Sequence, residues 1–210
     1  MLNILSCLST TIVAWFLSVK MEGEKFKPKK EGVILGGTLA IFCALSIITK
    51  WNIYLLESNI SVIEICAIFS LCAIPMAISD FQNKQLPWFL TFNFWFWTIY
   101  LIGAVSGYNY FLVLALFLLI TFITLIVTSK INIGFADIYT IILVLMLLIG
   151  FKNYVVFVSY LVAIAIIGIV LQIIRMRDPI MKVSLKRIPA LPLYIGAFPV
   201  AMAVLCLYFL

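Results

Sequence analysis

Two aspartates sit where chemistry could be done. Asp80 lies in Ser79-Asp80-Phe81-Gln82-Asn83-Lys84-Gln85-Leu86-Pro87, where one long apolar run ends and Pro87-Trp88 opens the next. Asp137 closes Gly134-Phe135-Ala136-Asp137 at the start of another apolar run. Two carboxyls a few ångströms apart cannot both ionise cheaply, so a close pair shares a proton. The ionised member can activate a water as general base. The protonated member can donate to a scissile carbonyl and later assist the leaving amine. That is peptide hydrolysis with neither a metal nor a covalent intermediate. Spacing alone leaves other roles open. An aspartate near a helix end is commonly a cap or an interfacial charge, and Asp80 could pair with Lys84 at i, i+4. A transporter could use Asp80, Asp137 and Glu64 to couple protons or cations, although the inverted repeats expected of one are not visible.

The elements that must position these acids are membrane helices. The 210 residues are 66 % hydrophobic and only 10 % charged, with a mean hydropathy of +1.25. Soluble domains are about a quarter charged, and several runs here reach bilayer length. The composition predicts an all-α, polytopic membrane protein of about eight transmembrane helices, forming one integral domain over residues 1–210. The expected spans are 2–19, 33–49, 60–79, 88–105, 111–128, 131–150, 154–174 and 189–210. The first lacks a basic n-region and a convincing cleavage site, so it reads as a retained helix rather than a signal peptide. Ser6 and Thr10 within it, and Gly36 and Gly37 in the second span, are small enough for close helix contact. Span 131–150 puts Asp137 roughly 9 Å below the interface at 1.5 Å per residue.

Charge orients this arrangement. The basic loops 20–32 and 175–188 mark the cytoplasmic side. With eight spans and both termini outside, twelve of the fourteen basic residues fall inside, and only Lys50 and Lys152 outside. The net charge of +6 is thus topogenic, and nucleic acid is not an expected partner. Asp80 and Asp137 then share the cytoplasmic face. Glu64, one turn into its span, reads as an acid near enough to the outer interface to snorkel or pair. Pro75 either kinks its span or is tolerated by packing. The aromatics between Trp88 and Tyr100 read as lipid-facing bulk, with Trp88 in an interfacial belt.

There is no histidine, and Cys7, Cys43, Cys66, Cys72 and Cys206 lie scattered in apolar runs without a CxxC pair. A Cys/His zinc site and a disulfide framework are not expected. No metal or cofactor site is read from the sequence.

Three segments carry a resemblance. Asp80 to Pro87 resembles the first catalytic motif of the type IV prepilin peptidases, an aspartate followed seven positions later by proline, usually after Leu or Ile. Ile133-Gly134-Phe135-Ala136-Asp137 is similar to their GxGD motif, and Arg187-Ile188-Pro189-Ala190-Leu191-Pro192-Leu193-Tyr194-Ile195-Gly196-Ala197 to their I-P-x-x-P-x-x-x-x-G signature. The matches run in family order over residues 80–210. The resemblance implies that Asp80 and Asp137 are the catalytic pair of an intramembrane aspartyl endopeptidase. It implies as partners pilin-like precursors with a basic leader ending in glycine and an apolar helix beyond, cleaved at the cytoplasmic face, with membrane lipid around the enzyme. Glu22, Glu24, Glu31 and Asp178 are candidates for attracting the basic leader.

The chain also departs from the family pattern. Ala136 replaces the second glycine of GxGD but keeps the position small. Tyr139 stands where many members have lysine, and Trp88 where Asp or Asn is common. Loop 20–32 has no cysteine, whereas large members carry a cysteine-bearing domain there, so their methyltransferase activity is not expected. A non-catalytic homologue acting in assembly is the remaining alternative.

Overall fold

Runs of Leu, Ile, Phe and Val without turn residues satisfy their backbone most simply as helices, and this is how the chain folds. The computed structural model describes residues 2–27, 60–83, 85–107, 135–177 and 196–204, with single positions at 29, 30, 33, 34, 36, 37, 41, 119 and 123. Among the described residues every regular element is helical. Helix α1, Leu2–Leu17, continues into a π-helical turn, Ser18–Glu22, and a 3-10 turn, Glu24–Phe26. The others are α2 (Val62–Asn83), α3 (Trp88–Ser106), α4 (Phe135–Gly150) and α5 (Tyr154–Arg177). Residues 196–204 are also helical. By length and composition Leu2–Glu22, Val62–Asn83 and Trp88–Ser106 can each cross a membrane, and Ile138–Gly150 and Tyr154–Val170 are shorter apolar helices. Most of the expected spans at 33–49 and 111–128 lies outside the described residues.

Helix α2 is apolar on every side, and such a helix must be surrounded by protein or lipid. Here protein surrounds it: Ile65, Ile68, Phe69, Cys72, Ala73 and Met76 are fully or almost fully buried. α1 and α3 pack against α2 and against each other. Phe69 meets Phe94 of α3 edge-on at 5.6 Å and stacks on Phe198 at 3.8 Å. The segment 196–204 therefore also lies on α2, and Gly196 comes near Ile167 of α5. α4 packs on α3, and α5 on α4. Among the described residues α2 and α4 do not pack directly; α3 lies against both.

The contacts fix the directions of the helices. Cys7 of α1 reaches Ile68 of α2, while Asn93 and Trp97 of α3 donate to Thr11 and Thr10 of α1, both at 2.9 Å. With Glu22 against Trp88, α1 runs antiparallel to α3. Trp95 of α3 meets Tyr139 and Thr140 early in α4, and Gly150 at its far end meets Val105 and Ser106. α3 and α4 therefore run parallel. The ends of α1 and α2 and the starts of α3 and α4 thus lie at one end of the bundle.

Several expectations are corrected. The expected loop from Asp80 to Pro87 begins later, because α2 continues to Asn83. A polar residue ends an apolar run, but it does not end the hydrogen-bond ladder, and no proline intervenes before Pro87. For the same reason α5 runs to Arg177 and loop 20–32 begins inside a helical turn. Ser6 is exposed; the inner face of α1 is Cys7, Thr11, Ala14 and Ser18, small residues spaced four, three and four apart. Gly36 does make a close approach, since a Cβ there would sit 2.5 Å from Ile78 Cδ1 of α2, whereas Gly37 faces open space. α2 runs through buried Pro75, which removes one rung of its ladder.

Candidate functional site

The bundle end described above brings Ser79 and Asp80 of α2 together with the starts of α3 and α4. Asp80 enters it from the last turn of α2 and is 7 % exposed. Ser79 donates from Oγ to the Gln85 carbonyl at 3.2 Å, folding the connection back over the end of α2. Phe81 is exposed. Asp137 is the third residue of α4, which starts at the same end because α4 runs parallel to α3. Its side chain lies outside the described residues, as do Lys84, Gly134 and most of the segment 187–197, so the carboxyl-to-carboxyl geometry and the Asp80–Lys84 pairing do too.

The start of α3 has an unusual cap. Its N-cap residue is Pro87, which has no side-chain acceptor. Glu22 takes that role from another helix. Trp88 N–H donates to Glu22 Oε2 at 3.0 Å and Phe89 N–H to Oε1 at 3.3 Å. A carboxylate on free N–H groups at a positive helix end is well matched in both charge and hydrogen bonding. Thr91 Oγ donates to the Pro87 carbonyl at 2.8 Å and secures the same turn. Glu22 is thereby committed to positioning the helix beside Asp80. Glu24 is paired with Lys27 at 2.6 Å, and that hydrogen bond together with the lysine charge holds its carboxyl below the usual range. Of the four acids expected to face a basic leader, Glu22 serves as this cap and exposed Glu24 pairs with Lys27; Glu31 and Asp178 lie outside the described residues.

Tyr139, two residues beyond Asp137, is fully buried and meets Trp95 edge-on at 4.5 Å. Trp95 Nε1 donates to Thr140 Oγ1 at 3.4 Å. An ammonium at position 139 would be buried against an indole, so aromatic packing occupies this position. The aromatic stretch divides: Trp88, Phe92 and Phe96, four apart, are exposed, whereas Phe94, Trp95 and Trp97 are core.

The start of α2 carries a cap that the sequence pattern Ser61-Val62-Ile63-Glu64 could have announced. The Glu64 N–H donates to Ser61 Oγ at 3.2 Å, the serine half of a capping box. It lies at the opposite end of α2 from Asp80. The described cysteines, Cys7, Cys66 and Cys72, are free and buried. The thiols of Cys7 and Cys72 both donate to the Ile68 carbonyl, at 3.6 and 3.1 Å; the first bond links α1 to α2 and the second lies within α2. Among the described residues no three His, Cys, Asp or Glu side chains gather as a metal-ligand group. Comparison of the chain with family models, with curated proteins and with solved structures returned no match.

Proposed function

We propose that this chain is an intramembrane aspartyl endopeptidase that cleaves leaders from type IV prepilin-like precursors. In this reading it crosses the plasma or inner membrane about eight times, with both termini outside. The observation that carries the proposal is a buried carboxyl, Asp80, at the bundle end where α4 opens with Asp137. The resemblance of three segments to prepilin peptidase motifs, in family order, supports the same assignment. An ionisable residue inside a membrane segment is by default a candidate functional group.

The chemistry needs only these two groups and a water. The ionised carboxylate takes a proton from the water as its oxygen attacks the scissile carbonyl. The protonated partner donates to the carbonyl oxygen, giving a neutral gem-diol. The first acid then returns its proton to the leaving nitrogen as the C–N bond breaks, and a diol proton restores the second acid. The balance is one water consumed and one peptide bond broken.

The test is purified protein in detergent with a synthetic pilin-like precursor and mass analysis of the products. The expected products are the leader ending in glycine and the mature chain, with a rate unchanged by a strong chelator. No cleavage by well-folded protein, or strict metal dependence, would overturn the reading.

A further inference from the structure

The outward face of α1 ends in charge. Leu5, Ile12 and Phe16 are exposed apolar residues along it. Lys20 follows four residues after Phe16, on the same face. It is exposed, with its ammonium 6.0 Å from the centre of the Phe16 ring. Glu22, two residues on, turns instead to the N–H groups of Trp88 and Phe89. That contact brings Lys20 close to the level of the exposed Trp88 indole. A tryptophan at the end of an apolar helix marks the boundary between hydrocarbon and headgroups in a bilayer.

Two further lysines stand at this end. The 3-10 turn Glu24–Phe26 packs on α2, and Phe26 is buried. Lys29 and Lys30 lie three and four residues beyond Phe26, so within about 15 Å of it, and both are exposed. They open a helical stretch. Val33 N–H donates to the Lys29 carbonyl at 2.9 Å, and Gly36 lies against Ile78 of α2. A lysine at the start of a helix opposes the positive end of its dipole, so the stability of that stretch does not account for the pair. The described acids nearby have other partners: Glu22 on α3, and Glu24 on Lys27.

Exposed ammonium groups beside the exposed side chains of Phe16, Met21 and Trp88 match one kind of surface. A soluble acidic protein would use the lysines and leave the apolar groups in water. A lipid uses both, its acyl chains on the apolar residues and its phosphate on the lysines. A zwitterionic headgroup carries its own cation next to the phosphate, whereas an anionic headgroup presents the negative charge alone. We propose that Lys20, Lys29 and Lys30 bind the headgroups of anionic phospholipids at the bundle end that holds Asp80. Basic clusters directly beyond a membrane helix select such lipids through charge, each residue adding to the attraction. The inference rests on the membrane placement in the proposed reading and not on peptide cleavage.

The test uses the full chain in detergent, titrated with phosphatidylglycerol and with phosphatidylcholine of the same acyl chains, and counts bound lipid by native mass spectrometry. The unaltered protein should prefer phosphatidylglycerol by about a hundredfold, since one basic residue contributes about fivefold at an anionic surface. Lys20→Gln, Lys29→Gln and Lys30→Gln should each cut that preference by about fivefold, and the triple variant should bind the two lipids about equally. Lys152→Gln, in the turn between α4 and α5, should change nothing. Raising the salt from about 0.03 M to about 0.5 M should erode the preference of the unaltered protein. Melting temperatures separate a site from a role in the fold. Phosphatidylglycerol should raise the melting temperature of the unaltered protein but not of the triple variant, while the two proteins melt alike in phosphatidylcholine. Equal binding of both lipids by the unaltered protein, a preference that survives the triple change, or an equal loss with Lys152→Gln would overturn the proposal. So would tighter binding of polyglutamate than of phosphatidylglycerol, or displacement of the lipid by millimolar inorganic phosphate, since neither ligand needs a bilayer. A chain that takes up neither lipid would end the membrane placement as well. Precursor cleavage in pure phosphatidylcholine tests the peptidase reading without this site.

Discussion

Asp80 is a carboxyl in the last turn of a helix whose other inward residues are almost all apolar. The position before Asp137 matters for a related reason. Ala136 lies in the first turn of α4, where glycine in the GxGD pattern would be less favourable to helix by at most about 1 kcal/mol. Alanine adds one methyl and keeps the site small. Ala136→Gly should lower thermal stability slightly and change the steady-state cleavage rate by less than about tenfold, or 1.4 kcal/mol, when the two proteins are compared in the same detergent. Complete loss of cleavage with glycine would mean that the turn before Asp137 depends on the alanine.

At the scale of elements, the helix beside Asp80 is held by a residue far away in sequence. Glu22 supplies both acceptors at the N-terminus of α3, where Pro87 can supply none. Glu22→Ala should destabilise the protein by about 1–2 kcal/mol, seen as a lower melting temperature in detergent. Glu22→Gln should fall between the two, since it keeps one acceptor and loses the charge. An unchanged melting temperature in the alanine variant would show that the cap contributes nothing. Such long-range partners mark what was not legible in the sequence. Apolar runs gave α2, α3 and α5 with ends within a few residues, because hydrophobic length is a local property. The polar break at Asp80 predicts a loop, yet the helix continues to Asn83, because polarity and helix termination usually coincide but need not. The inner stripe Cys7, Thr11, Ala14 and Ser18 is present in the spacing, but small residues lie all around α1, so residue size alone does not select its inner face. The clustering of helix ends around Asp80 depends on which helices pack together, and only an orientation of charges, not a packing, could be read from the chain.

At the scale of the whole molecule, the parallel course of α3 and α4 and the antiparallel course of α1 and α3 agree with alternating passage through a bilayer. Exposed apolar residues such as Phe16, Phe96, Ile166 and Ile169 give the bundle an outer surface that lipid would cover. Lys20 and Lys27 sit near the bundle end that holds Asp80. The proposed reaction requires the two halves of the chain to deliver one acid each to that end. The most direct measurement is precursor cleavage in membranes by the unaltered chain, Asp80→Asn, Asp137→Asn, the double variant and Lys84→Ala, with membrane insertion of each verified. Each Asp→Asn change should abolish cleavage, and the double variant should be no worse than either single one, because groups acting as one catalytic unit are not additive. Lys84→Ala should keep substantial activity. Near-normal cleavage by either single Asp→Asn protein would contradict the shared-proton pair and favour a transporter or assembly role for this chain.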